Sequence, residues 1–262
     1  MVAIIDTHQH LGSCRTFDRD VSADELLVAL DAHGVTGALV LPFPWPPDEK
    51  AAHDAIAALV AKVPRRIRGI ASINPHVEEK DYLAEAERCV RQLGFVALKL
   101  HPLGHACSPL GRDATKVFEA ARGLKVPVLV HTGQGAPWAM PSLLIPRAHQ
   151  YPDVTIVLCH AGAGYFSQEA VAAAQVCDNI FLETSWCTLP RIKEMLRTVG
   201  SQRIMFGADV PENVPVEITK YRHLRLSDTE VDDCLNGTAR RVFGLGDVDF
   251  ARDEFSEEQI LD

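Results

Sequence analysis

With 262 residues, 47% of them hydrophobic and 23% charged, the chain is long enough to bury one sizeable core and too apolar to remain disordered. Its formal net charge of −9 at pH 7 repels a phosphate backbone and excludes nucleic acid as an expected partner. No apolar run approaches the ~20 residues of a membrane-spanning helix, and the opening Met-Val-Ala-Ile-Ile-Asp lacks the basic start of a signal peptide, so no membrane role and a cytoplasmic location are expected.

In chain order, a first apolar run over 2–6 leads into Asp6-Thr7-His8-Gln9-His10, and a helix is predicted over 22–33, where Ser22 and Glu25 form a capping box and Gly34 is the stop. A second run over 37–41 meets Pro-Phe-Pro-Trp-Pro-Pro at 42–47, a stiff loop that either lines a site or merely connects. A third run, 68–73, precedes a helix over 81–93 stopped by Gly94; a fourth, 95–100, leads through Lys99-Leu100-His101-Pro102 towards a helix over 115–122. The fifth run, 127–131, ends in His131-Thr132-Gly133, and the sixth, 154–159, is followed by His160-Ala161-Gly162 and a helix over 166–176. The seventh, 179–183, is followed by a helix over 190–199; the eighth, 203–207, runs into Ala208-Asp209, and a last helix is predicted over 229–243. An acidic tail, 247–262, reads as a surface segment long enough to swap onto a neighbouring subunit.

These runs start about 24 to 35 residues apart, the size of one βα unit. Strands alternating with helices imply an α/β fold with a parallel sheet, and eight of them imply closure into a single (β/α)8 TIM barrel spanning 1–262. A Gly-x-Gly-x-x-Gly after the first strand, the signature of a dinucleotide-binding fold, is missing. The seven cysteines are odd in number, scattered and without a Cys-x-x-Cys pair, which suits reduced thiols that pack as small hydrophobes.

Polar residues at five of the eight strand ends need a reason, because barrel walls favour apolar side chains. In extended chain, residues two apart share a side, so His8 and His10 aim together into the barrel, as do Lys99 and His101. Each imidazole alone reads as hydrogen-bonded structure. Converged with His131, His160 and Asp209 at the carboxyl ends, they form a metal site, with nitrogen and oxygen ligands that favour zinc and also admit manganese, iron or nickel.

The chain resembles the amidohydrolase superfamily, in particular the amidohydrolase-related branch that includes decarboxylases of the aminocarboxymuconate semialdehyde type and lactonases. The carriers are Asp6-x-His8-x-His10, Gly94 through Lys99-Leu100-His101-Pro102, His131-x-Gly133, Cys159-His160-Ala161-Gly162, Phe206-Gly207-Ala208-Asp209-x-Pro211 and Asn236-x-x-Ala239-Arg240-Arg241-x-Phe243. In a one-metal arrangement, the resemblance implies His8, His10, Asp209 and His131 as ligands, with His160 free for catalysis. In a two-metal arrangement, a carbamylated Lys99 bridges the ions, and His131 and His160 hold the second. A plain Lys99 ammonium that binds a substrate carboxylate is the alternative. Ala208 departs from the pattern, since many relatives carry Ser before the aspartate. The chain is also shorter than many relatives, which suits a small-molecule substrate.

The expected function is a metal-dependent hydrolase in which activated water attacks an ester, lactone or amide, Asp209 moves the proton, and His160 hydrogen-bonds the carbonyl oxygen or holds a second cation. The alternatives are a non-oxidative decarboxylase of an aromatic or muconate-like acid, and a catalytically silent metal-binding barrel. Asp6 is expected to fix the tautomer of a ligand histidine, or to serve as strand-end structure. Trp45, Trp138 and Trp186 follow strands on the site's side and either stack on substrate or pack; Arg15 and Arg147 either grip a carboxylate or read as solvated surface; His101 has no assigned role. A homodimer is the default assembly.

Overall fold

A computed structural model describes residues 3–15, 18–246 and 250. Val2 of the first expected run and the tail 247–262, apart from Phe250, lie outside the described residues.

The strands are β1 (Ile5–Cys14), β2 (Arg19–Val21), β3 (Gly37–Pro42), β4 (Ile67–Ser72), β5 (Ala97–Leu100), β6 (Val128–His131), β7 (Ile156–Cys159), β8 (Ile180–Glu183) and β9 (Ile204–Met205). The helices are α1 (Ala23–His33), α2 (Glu49–Lys62), α3 (Glu79–Glu87), α4 (Arg112–Leu124), α5 (Leu144–Gln150), α6 (Ser167–Val176), α7 (Leu189–Val199), α8 (Val214–His223), α9 (Asp228–Asp232) and α10 (Thr238–Phe243). Eight strands pair in parallel in the order β1-β3-β4-β5-β6-β7-β8-β9, and β2 pairs antiparallel on the outer side of β1. The segment after β9 returns to β1: Thr7 N donates to Phe206 O at 3.0 Å, Asp209 N to His8 O at 2.7 Å, and His10 N to Asp209 O at 3.1 Å. These bonds close the ring, and the molecule is the TIM barrel that the sequence implies.

Local signals behave as expected where they are strong. Ser22 caps α1 by accepting from Glu25 N, and Gly34 ends it with φ 75°. Pro190 opens α7 in the first turn, where its missing N–H has no intrahelical partner to lose. Helices α2, α5 and α8 were not expected. The buried stripe of α2 is only His53, Ile56 and Leu59, and that of α8 includes Glu217, so neither shows a broad apolar face. The helix expected over 229–243 is interrupted by a π-helical turn at Asp233–Gly237.

Alternation decides what enters the barrel. Leu98, Leu100, Val128, Val130, Ile156 and Leu158 face the helices, and Ala97, Leu129 and Val157 fill the interior. The same period carries Lys99, His131 and Cys159 into the interior one layer higher, towards the carboxyl ends. β1 is longer than expected, so Asp6 to His10 lies within the strand rather than after it, and its register against β3 shifts between Asp6 and Gln9. All seven cysteines are free and buried, consistent with their packing role. No helix among the described residues is long and apolar enough to cross a membrane.

Candidate metal and active site

The rim of the barrel at the carboxyl ends holds a cleft of about 430 Å³, lined by His10, His101, His131, His160, Trp186 and Asp209 among others. His8 lies below it, fully buried. One ligand atom from each of His8, His10 and Asp209 lies within 4.8 Å of the others. The Nε2 atoms of both histidines are 3.4 Å from Asp209 Oδ1.

Hydrogen-bond partners assign the tautomers. His8 Nδ1 meets Glu183 Oε2 at 3.0 Å and His10 Nδ1 meets Pro42 O at 3.1 Å; neither oxygen carries a hydrogen, so each ring donates from Nδ1. Both Nε2 lone pairs are thereby turned to the carboxylate. Phe43 stacks on His10 at 4.5 Å, and Trp186 Nε1 donates to Asp209 Oδ2 at 2.8 Å, so the ring and the carboxylate are each held by a neighbour. Three acceptor atoms facing one point are mutually repulsive, and a cation placed among them removes the conflict.

Lys99, 1% exposed, supplies the nearest positive charge: Nζ donates to His8 Nε2 at 3.0 Å and to Cys159 Sγ at 3.2 Å. Burial keeps the thiol of Cys159 protonated, with its pKa pushed up to about 12.

Glu183, fully buried at the end of β8, organises the site. Besides His8 it accepts from His160 N at 3.1 Å and from the Ser185 hydroxyl at 3.0 Å. That hydroxyl in turn accepts from His160 Nδ1 at 2.7 Å, leaving the His160 Nε2 lone pair free. Gly207 is required beside it, since a Cβ there would lie 2.6 Å from Glu183 Oε1. Glu183 is missing from the residues singled out in the sequence, although it ends the seventh expected strand and the strand-end criterion applied to the others selects it.

His131 donates Nε2–H to Gln134 O at 2.8 Å and stands 4.8 Å from the His160 ring. Its pKa is lowered to about 4, by burial first and then by the Lys99 charge. Burial likewise holds His8 and His160 well below the ordinary imidazole value. Burial raises the Asp209 pKa, and only a protonated His160, His10 or His8 beside it would hold the carboxyl well below its usual range. His160, Ala161, Ala163, Trp186 and Asp209 all have left-handed φ values, between 38° and 73°. Such concentrated strain at strand ends is characteristic of functional loops.

Of the two roles expected of Asp6, strand-end structure is the one its contacts match. Asp6 touches no imidazole; it accepts from Gln9 Nε2 at 2.8 Å, His8 N at 3.0 Å and Ala208 N at 3.1 Å, tying the first and last strands together at backbone level. Burial raises its pKa to about 8 against those three donors. With its proton on Nδ1, His160 presents an acceptor at Nε2, which fits the second of its expected roles, holding a cation, rather than donation to a carbonyl oxygen. Of the tryptophans, Trp186 lines the cleft, whereas Trp45 and Trp138 do not. Arg147 is buried rather than superficial and pins the loop before α4 through Pro109 O and Gly111 O. Arg19, on β2, was not singled out, yet it lines the cleft and pairs with Glu212.

The family model for amidohydrolases matches residues 5–245. The chain belongs to the amidohydrolase family. Among curated relatives of this family member is the gamma-resorcylate decarboxylase of Polaromonas sp. strain JS666, 26% identical over 247 residues covering 74% of this chain and 75% of that protein. Another is the 2-keto-4-carboxy-3-hexenedioate hydratase of Sphingobium sp. strain SYK-6, 24% identical over 246 residues, 76% of this chain and 71% of that one. Among solved structures, a dihydroxybenzoic acid decarboxylase from Polaromonas sp. JS666, with bound manganese and the inhibitor 2-nitroresorcinol, superposes with a TM-score of 0.74 at 19% identity, covering 94% of this chain and 98% of that one.

Proposed function

We propose that the protein is a divalent-metal-dependent decarboxylase of a small hydroxylated aromatic carboxylic acid. The observation that carries the metal is the convergence of His8 Nε2, His10 Nε2 and Asp209 Oδ1, each with its lone pair fixed from behind. The similarity to the Polaromonas decarboxylase, in sequence and in solved structure, supports the decarboxylase alternative over the hydrolysis expected first. The cleft volume suits a single-ring ligand, and Phe43, Trp186 and the histidine rings give it flat walls. Arg19 supplies the cleft with a guanidinium for an anionic substrate group.

His8, His10 and Asp209 form the core ligand set, with His131 the fourth candidate. Zinc and manganese both accept two imidazoles and a carboxylate, and the manganese of the Polaromonas structure makes it the first ion to supply. When bound, the cation supplies positive charge that holds substrate oxygens and stabilises the negative charge left when the C–C bond breaks. Asp209, ionised at rest, accepts the substrate's hydroxyl proton and returns it to the ring carbon that bears the carboxylate. Carbon dioxide then leaves and the product is a phenolate, so proton and charge balance. His160, oriented through Ser185, keeps a neutral acceptor nitrogen beside Asp209 to take part in that transfer.

The test is incubation of manganese-loaded protein with carboxyl-labelled dihydroxybenzoates and carboxyvanillate, trapping released label. Labelled carbon dioxide from wild type, absent with Asp209→Asn, is the expected result. Hydrolysis of lactones or esters with no label released would restore the hydrolase reading, and firm metal binding with no turnover of any of these would leave a silent barrel.

Lys99 enters this scheme as an ammonium, because its two partners are the neutral His8 and Cys159. Native mass spectrometry is then expected to show no added carbon dioxide on the protein. Lys99→Met is expected to hold metal at least as tightly, since the ammonium no longer competes for the His8 lone pair. A folded Lys99→Met that loses its metal would instead make the lysine a carbamylated ligand.

A further inference from the structure

We propose that His101 is a substrate-facing hydrogen-bond donor of the cleft, presenting Nε2–H to an acceptor oxygen of the bound acid. The inference deepens the decarboxylase reading and rests on it for the identity of that acid.

Three features of the fold make the assignment. Gly104 N donates to His101 Nδ1 at 2.9 Å, so Nδ1 holds a lone pair and the proton resides on Nε2. Gly104 is needed for this approach, because a Cβ there would meet Pro44 at 2.5 Å and His101 Nδ1 at 3.1 Å. The ring lines the cleft while only 6% exposed, and Nε2 has no protein partner among the described residues. Finally, the ring lies flat on His131, with centroids 4.0 Å apart and planes 12° from parallel, and His101 N donates to His105 Nδ1 at 3.2 Å, so ring and backbone are both anchored.

The two stacked rings offer opposite functions. His131 spends its Nε2–H on Gln134 O and turns a lone pair inwards, whereas His101 keeps its N–H for the cleft. The other imidazoles and carboxylates of the cleft present acceptors, and Trp186 Nε1 is bound to Asp209, which leaves His101 as the neutral ring donor beside the Arg19 guanidinium. A desolvated donor of this kind favours a substrate with an oxygen acceptor at that position over an analogue without one.

The test uses full-length protein in two arms. Nitrogen-15 histidine spectra report whether Nε2 or Nδ1 of His101 is protonated, and 2-nitroresorcinol, titrated without turnover, reports binding to wild type, His101→Phe and His101→Gln. Phe keeps a ring against His131 and removes the donor; Gln returns an N–H near the position of Nε2. Expected are an Nε2–H spectrum that shifts on ligand addition, affinity about 10-fold to 100-fold weaker with Phe, and recovery of most of that loss with Gln. A proton on Nδ1, or equal affinity for wild type and a folded His101→Phe, overturns the proposal. If wild type neither binds 2-nitroresorcinol nor releases carbon dioxide, the decarboxylase reading falls by itself. The spectrum then decides the donor: protonated Nε2 supports it and protonated Nδ1 overturns it.

Discussion

Asp209→Asn is expected to lower kcat by about three orders of magnitude, within the range for removal of a general acid–base group, while the barrel stays folded. The backbone tolerates the change: Asp209 has φ 73°, and asparagine is among the few side chains that accept this region readily. An amide oxygen can still accept from Trp186 Nε1, so the loop after β9 keeps its anchor. Lost is the only carboxylate of the acceptor triad, and with it the group that accepts and returns the substrate proton. Steady-state rates, circular dichroism and metal content measured on one sample separate the effects. A well-folded variant with near-normal kcat would remove Asp209 from the chemistry.

Glu183→Gln should weaken metal affinity about 10-fold to 100-fold although Glu183 lies outside the proposed ligand set, because partners of ligating histidines contribute at that scale. Oε2 accepts from His8 Nδ1, His160 N and the Ser185 hydroxyl while Oε1 accepts from Ser185 N, so an amide cannot serve both positions. One of its two positions becomes an N–H₂ group that faces donors, so either His8 reverses its tautomer or a buried donor loses its partner. Either outcome costs about 1 to 3 kcal/mol of stability as well. Metal titration and thermal unfolding read the two consequences independently of turnover. Unchanged affinity in both measurements would mean that Glu183 only packs.

Much of this site is legible in the sequence because strand alternation is local. The spacing of Lys99 from Leu98 and Leu100, and of His131 from Val130, requires nothing beyond extended chain to send them to opposite faces. Placement at strand ends followed from the same periodicity, and His8, His10 and Asp209 meet as expected. Glu183 was equally readable by that criterion and was overlooked. Arg19 was harder, since the three-residue β2 offers little apolar pattern and its position depends on pairing with β1.

By itself, the sequence determined the barrel, the rim at which these polar side chains gather and their residue types, since each follows from periodicity along a few neighbouring residues. Only the tertiary structure decided which nitrogen of each ring is free. A tautomer is set by the atom behind the ring, and for His8 that atom lies 175 residues away on Glu183, for His10 on Pro42 and for His160 on Ser185. The same long-range bonds turn His160 from a donor into an acceptor and leave the N–H of His101 to the cleft, because a hydrogen can face only one partner and chain order does not say which.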